Sequence, residues 1–251
     1  FGIPLMASGL QGALTAYFLR VVIVKEFGLD GVGVWGAAFN ISGVLVNFVL
    51  SAMSTDYFPR LSSVVHDNRL ISKEVNAQTH IALLLAFPAL LVTILFAPLG
   101  IQLLYSGRFD AAIPILRWSV YGILGRVISW PLGFIILAQG RGKLFFVSEL
   151  IRNLLHVGFI FGCSKVWGLL GTGIAFAMLY TVHVGAMIFV SQWIAKTHWT
   201  TANIGTIVGV TGLLLLAGGL HVWISSQAVY CFVSCTMFLT ATWFVVRRLS
   251  L

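Results

Sequence analysis

Eight apolar stretches, each long enough to cross a lipid bilayer, fill almost all of this 251-residue chain. A spanning helix needs roughly 20 mostly apolar residues at about 1.5 Å rise each. In hydrocarbon the backbone must satisfy its own hydrogen bonds, so such stretches are helices. Charged residues make up only 9% of the chain, against about 25% in a soluble domain. The expected fold is therefore all-α, a polytopic transmembrane helix bundle of about eight spans. The pattern places helices over Ile3–Val24, Val32–Phe58, Gln78–Tyr105, Ala111–Ala138, Lys143–Ser164, Gly168–Ile194, Ile204–Trp223 and Ala228–Val246. Pro88 and Pro98 should kink the third helix, and the turn Gln139-Gly140-Arg141-Gly142 should reverse the chain.

Little is left for a soluble domain. The longest polar gap, from Pro59 to Thr79, is too short to fold alone. The net charge of +8 does not point to nucleic acid, because the basic residues sit in short loops beside helix ends, where they set topology. Alternating the loops gives one side Arg60, Arg69, Lys73, Arg141, Lys143, Lys196, Arg247 and Arg248, and the other Lys25, Arg108 and Lys165. Adding Arg20 and Arg117 to the poorer side makes eight against five. The richer side is expected to be cytoplasmic, with both chain ends on it. The sequence starts at Phe1 at a helix edge, as part of a longer protein would.

No soluble-enzyme motif occurs: there is no GxSxG, no GxxxxGK[ST], no HExxH and no clustered acidic pair. The expectation is a non-enzyme without cofactor or metal. Cys163, Cys231 and Cys235 have no ligand spacing and read as small apolar residues. Glycines at helical spacing, Gly205, Gly209 and Gly212 in one helix and Gly36 and Gly43 in another, read as close helix contacts.

Charge at membrane depth is costly and faces protein or a water-filled cavity. Arg126 stands in mid-helix, sharing a face with Ser119, Gly122, Ser129 and Gly133. It reads either as a site for an anionic group or as a structural ion pair or snorkelling cation. In the next helix Glu149, Arg152, Asn153 and His156 lie three and four apart and line one face. Glu149 could pair with Arg126 or, within its own helix, with Arg152. His156 and His183 read more simply as packed residues. Gly36, Asn40, Gly43, Asn47, Ser51 and Ser54 form a polar stripe that faces either a hydrated cavity or a tight helix contact. Arg20 is either an interfacial anchor or a cavity cation. The candidate cavity residues are thus Arg126, Arg152, Glu149, Arg20, Asn40 and Asn47.

Three segments carry a family resemblance: Leu50-Ser-Ala-Met-Ser-Thr-Asp-Tyr-Phe-Pro-Arg-Leu-Ser62, Ile115-Leu-Arg-Trp118, and Arg126-Val-Ile-Ser-Trp-Pro-Leu-Gly133. With these the chain resembles the C-terminal part of a Wzx-type O-antigen translocase, of the multidrug/oligosaccharidyl-lipid/polysaccharide exporter superfamily. The resemblance implies a two-lobed transporter of 12 to 14 helices. Residues 1–200 would be its C-terminal six-helix lobe and residues 201–251 two additional helices, the N-terminal lobe being outside this chain. It further implies a bacterial inner-membrane protein that flips undecaprenyl-diphosphate-linked oligosaccharide, with membrane lipids around it and cationic residues engaging the diphosphate. A cation-coupled multidrug exporter of the same superfamily is the alternative. That chemistry would favour embedded carboxylates, whereas the mid-membrane charges here lean basic.

Overall fold

The structure, a computed structural model, describes residues 2–223 and 227–249. These form helices α1 (Gly2–Ser63), α2 (Asn68–Leu95), α3 (Ala97–Leu104), α4 (Ala112–Ala138), α5 (Gly142–Trp167), α6 (Gly171–Ala195), α7 (Thr201–Trp223) and α8 (Gln227–Leu249), with short 3-10 turns at Gly107–Phe109 and Gly168–Leu170. No strand occurs among the described residues. Among the described residues, five apolar stretches are long enough to cross a membrane, and two of them, of 39 and 54 residues, exceed a single crossing. Each of these two contains a break.

The first break is Gly28, whose φ of 71° and ψ of −173° interrupt α1. Only glycine enters this region without a Cβ penalty. Before the break, Leu19 packs with Ile160 and Cys163 of α5; after it, Ala37 and Ala38 pack with Ile115 and Leu116 of α4. Both halves of α1 therefore run away from the same end of the bundle, and the chain folds back at Gly28. The second break, at Gly168–Leu170, turns α5 into α6, and its Leu169 side chain lies beside Gly31. Phe109 lies beside Gly33, so Lys25, Arg108 and Lys165 gather at this end. At the other end Gln139 donates to the Ile194 carbonyl at 3.3 Å and Ser72 to that of His198 at 3.2 Å. These contacts collect Arg69, Lys73, Arg141, Lys143 and Lys196 at the opposite face of the bundle.

Two sequence expectations need correction. The gap from Pro59 to Thr79 is almost wholly helical, because α1 continues to Ser63 and α2 already starts at Asn68. Asp67 caps α2, its carboxylate accepting from the backbone N–H of Arg69 at 2.8 Å and of Leu70 at 3.2 Å. An N-cap of this kind satisfies donors that the first turn leaves open. The residues that follow are polar because they lie outside the apolar layer, not because they form a loop. Pro98, in turn, does not kink a continuous helix. The helix ends at Leu95, and Pro98 stands in the first turn of α3, where its missing N–H costs nothing.

The inner helices are α2 and α4. In their most apolar windows 67% and 61% of residues are buried within the protein, against 11% in the window of α1. Leu90, Leu91, Ile94 and Leu95 of α2 mesh with Val120, Ile123 and Val127 of α4, Leu179 of α6 and Leu214 of α7. Lipid tails are as apolar as these side chains, so close packing rather than water exclusion holds such helices together. The glycines that permit it are Gly122, Gly125 and Gly173. A Cβ on Gly125 would stand 2.9 Å from the Cβ of Tyr180, and one on Gly173 2.8 Å from the Ile115 carbonyl oxygen. Gly36, Gly205, Gly209 and Gly212, read from sequence as close contacts, have open space where a Cβ would go. Helical spacing shows that they share a face but not whether that face is covered. Likewise Cys163 is buried but Cys235 is exposed, and the Cys231 side chain lies outside those described.

The segment Asp56–Ser62 closes the α1–α2 corner. Tyr57 is fully buried and donates from its hydroxyl to the Pro131 carbonyl at 3.0 Å. Arg60 donates to Asp56 and Glu74, both at 2.9 Å, and to Gln78 at 3.1 Å.

Candidate functional site

Arg126 lies fourteen residues from Ala112 and twelve from Ala138, the ends of α4. At about 1.5 Å per residue, that is roughly 20 Å from either end, mid-membrane in a spanning helix. Its side chain is half-buried and lines a cavity of about 320 Å³ between α4, α5 and α6. α4 adds Ser129 and Trp130, α5 adds Ser148, Glu149 and Arg152, and α6 adds Tyr180 and His183. Two of the candidate cations thus meet in one chamber.

Glu149 takes the partner within its own helix. Arg152 Nη2 stands 2.7 Å from Glu149 Oε2, and Nε reaches Oε1 at 3.3 Å. Both groups are mostly buried, at 17% and 23% side-chain exposure. A two-point contact suits the planar guanidinium and holds both side chains in one orientation. Arg126 is left without an ion-pair or hydrogen-bond partner among the described residues. The chamber therefore holds two guanidinium groups against one carboxylate, an excess positive charge in a half-enclosed site where water screens poorly. It has the size of a small-molecule site and the Tyr180 hydroxyl on its wall, while the Ser129 and Ser148 hydroxyls donate to the Arg126 and Phe145 carbonyls of their own helices. An anionic group with several acceptor oxygens meets all of these needs.

The other candidates lie elsewhere. Asn153 is buried with an unpartnered amide nitrogen, and His156 stacks at 5.7 Å against Phe176. Arg20 is exposed on the first half of α1 and does not line this chamber. Asn40, Asn47 and Ser51 are exposed on the second half of α1, away from the chamber, with no partner for either asparagine amide among the described residues. Sequence reasoning missed Ser148, Tyr180 and His183 as cavity residues. Tyr180, His183 and Met187 stand three and four apart in α6, a spacing that marks one face.

Residues 1–114 match the family described as polysaccharide biosynthesis protein. That match contains the Leu50–Ser62 segment but ends before every residue of the chamber. Among curated proteins the chain is 24% identical over 165 residues to the lipid III flippase of Escherichia coli, covering 66% of this chain and 39% of that protein. It is 26% identical over 184 residues to the teichuronic acid biosynthesis protein TuaB of Bacillus subtilis, covering 73% and 38%. It is 20% identical over 191 residues to the lipopolysaccharide biosynthesis protein WzxC of Escherichia coli, covering 76% and 39%. No solved structure matches the chain. The matched region thus spans 38–39% of the length of these curated relatives. Its apolar helices make the chain a multi-pass membrane protein, similar in sequence over part of its length to a lipid III flippase and to teichuronic acid and lipopolysaccharide biosynthesis proteins.

Proposed function

We propose that this chain is the C-terminal part of a flippase that moves undecaprenyl-diphosphate-linked oligosaccharide across the bacterial inner membrane by alternating access. The observation that carries the reading is the chamber in which Arg126 stands unpartnered beside the Arg152–Glu149 pair. A diphosphate is a multiply charged anion that must be drawn off the membrane surface, and buried guanidinium groups supply the charge and the paired donors to hold it. The names of the relatives, a lipid III flippase and a lipopolysaccharide biosynthesis protein among them, support a lipid-linked saccharide as cargo. The excess of cations over carboxylates speaks against a multidrug exporter that takes cationic drugs.

In this reading the chain crosses the membrane eight times, α1 counting twice about Gly28, and the end bearing Arg60, Arg69 and Lys73 faces the cytoplasm. Residues 1–200 form the six-helix lobe and 201–251 add two helices. The N-terminal lobe would cover the exposed polar stripe of α1, because lipid cannot satisfy the Asn40 and Asn47 amides.

The test is glycan export by the intact protein. Arg126→Ala should abolish export while the protein inserts and accumulates normally. Arg126→Lys should retain part of the activity, because it keeps the charge and loses the fork. Normal export by Arg126→Ala would remove the diphosphate site from the chamber.

A further inference from the structure

A second cavity, of about 850 Å³, lies on the other side of α4 from the chamber, between α4, α6 and α7. Its wall is apolar along most of its length, with Leu124, Ile128, Val182 and Leu215 among the lining residues. At one end stands Arg117, whose Nε is buried without a hydrogen-bond partner. Arg117 and Arg126 are nine residues apart, two and a half helical turns, so they point to opposite faces of α4. The two sites therefore share a helix and no side chain at their cationic ends.

The depth of Arg117 narrows the occupant. It lies five residues from Ala112, the start of α4, about 7 Å along the axis. In a spanning helix this is the boundary where lipid phosphates meet the acyl layer. The trough leads from there toward mid-membrane, past Tyr121, whose hydroxyl donates to the Leu214 carbonyl of α7 at 3.3 Å. Gly218 of α7 lets that helix approach Tyr121 closely, since a Cβ there would collide with the hydroxyl. One cation at headgroup depth above a long apolar trough matches an amphiphile with one anionic head and a hydrocarbon tail. The outer-leaflet side is expected from the sparse cations at this end, Lys25, Arg108 and Lys165.

We infer that this trough is a binding site for an anionic membrane phospholipid, with its phosphate on Arg117 and an acyl chain along α4, α6 and α7. The site stands apart from the cargo chamber and does not depend on it. A lipid seated there would fill the trough beside the Tyr121–Leu214 contact and add to the packing of α7 against α4 and α6.

Native mass spectrometry of the intact protein in detergent tests this with added phosphatidylglycerol. The wild-type protein should retain one phosphatidylglycerol and not diacylglycerol, which lacks the phosphate. Arg117→Gln should lower occupancy about tenfold or more, the loss expected for one charge-assisted contact. Arg117→Lys should recover part of it, which separates loss of charge from misfolding. Leu215→Trp, which fills the trough and leaves Arg117 in place, should also reduce occupancy. Arg126→Ala should leave phosphatidylglycerol binding unchanged, so failure of the cargo assignment would not touch this one. Equal retention of diacylglycerol, equal occupancy in Arg117→Gln, or displacement of phosphatidylglycerol by an equimolar polyprenyl phosphate would each overturn the inference.

Discussion

Replacing Arg60 by alanine tests whether the most recognisable segment of this chain handles cargo or holds the fold. Its three contacts differ in worth. The Asp56 carboxylate is 75% exposed, so that pair contributes about 0.2–1 kcal/mol at most. Glu74 is 25% exposed but faces a guanidinium that is itself 42% exposed, which holds this pair to about 1 kcal/mol. Gln78 is 2% exposed, and removing Arg60 strands its buried amide oxygen at about 1–3 kcal/mol. The three share one side chain and do not add fully, so Arg60→Ala should cost about 2–3 kcal/mol. Unfolding of the purified protein by a graded denaturing detergent reads this directly. Gln78→Leu in the Arg60→Ala background should restore part of the loss, because the orphaned amide is then gone. Arg60→Lys should recover less than half, since one ammonium cannot reach three acceptors. If Arg60→Ala unfolds with the wild-type midpoint while export fails, Arg60 acts on cargo and the corner-clamp argument is wrong.

Three further outcomes follow from the packing. Gly173→Val should destabilise by about 1–3 kcal/mol through overpacking, since even a Cβ would come within 3.0 Å of Trp118, whereas Gly205→Ala should be neutral or slightly stabilising because open space surrounds it; the same unfolding assay compares them. Asn76→Ala should release the link between α6 and α7 to proteolysis, because Asn76 donates to the His198 carbonyl at 2.8 Å and accepts from the Thr200 N–H at 2.8 Å and the Asn203 amide at 2.9 Å. In the intact protein, cysteines at Asn40 and Asn47 should react with a small hydrophilic thiol reagent while one at Val46, which is 2% exposed, does not; equal protection of all three would make the polar stripe a dry contact.

The helical class and most helix positions were legible because spans must be long, apolar and internally hydrogen-bonded. The hairpin between α4 and α5 was legible too, since Gly140 adopts the positive φ of 72° that its turn chemistry suggests. Less legible were the places where polarity and secondary structure part company. The residues from Asn68 to Gln78 are mostly polar and helical at once, with Ile71 and Val75, one turn apart, supplying the narrow apolar face that packs on Tyr57 and Leu61. Asp67 was the available signal, as a capping residue directly ahead of a helical run. Phe96 and Pro98 could be read as a kink or as a stop and restart, and only the Leu95 terminus decides between them.

The site shows the same division. Arg126 stands out because a guanidinium inside an apolar helix must be accounted for, and helical spacing puts Glu149 and Arg152 on one face of the following helix. Spacing does not tell which faces meet. Glu149 was as able to reach Arg126 as Arg152, and the shorter route within α5 takes it. That choice matters chemically. Had Glu149 neutralised Arg126, Arg152 would be the free cation, one helix away and differently placed. With Glu149 committed to Arg152, the unpaired charge stands on α4, whose opposite face carries Arg117. One inner helix therefore presents a cation to each of two cavities. It is held between them by glycine contacts to α6, which carries walls of both. The close contacts at Gly122, Gly125 and Gly173 seat α4 firmly against α6 and so hold the walls of each cavity in place.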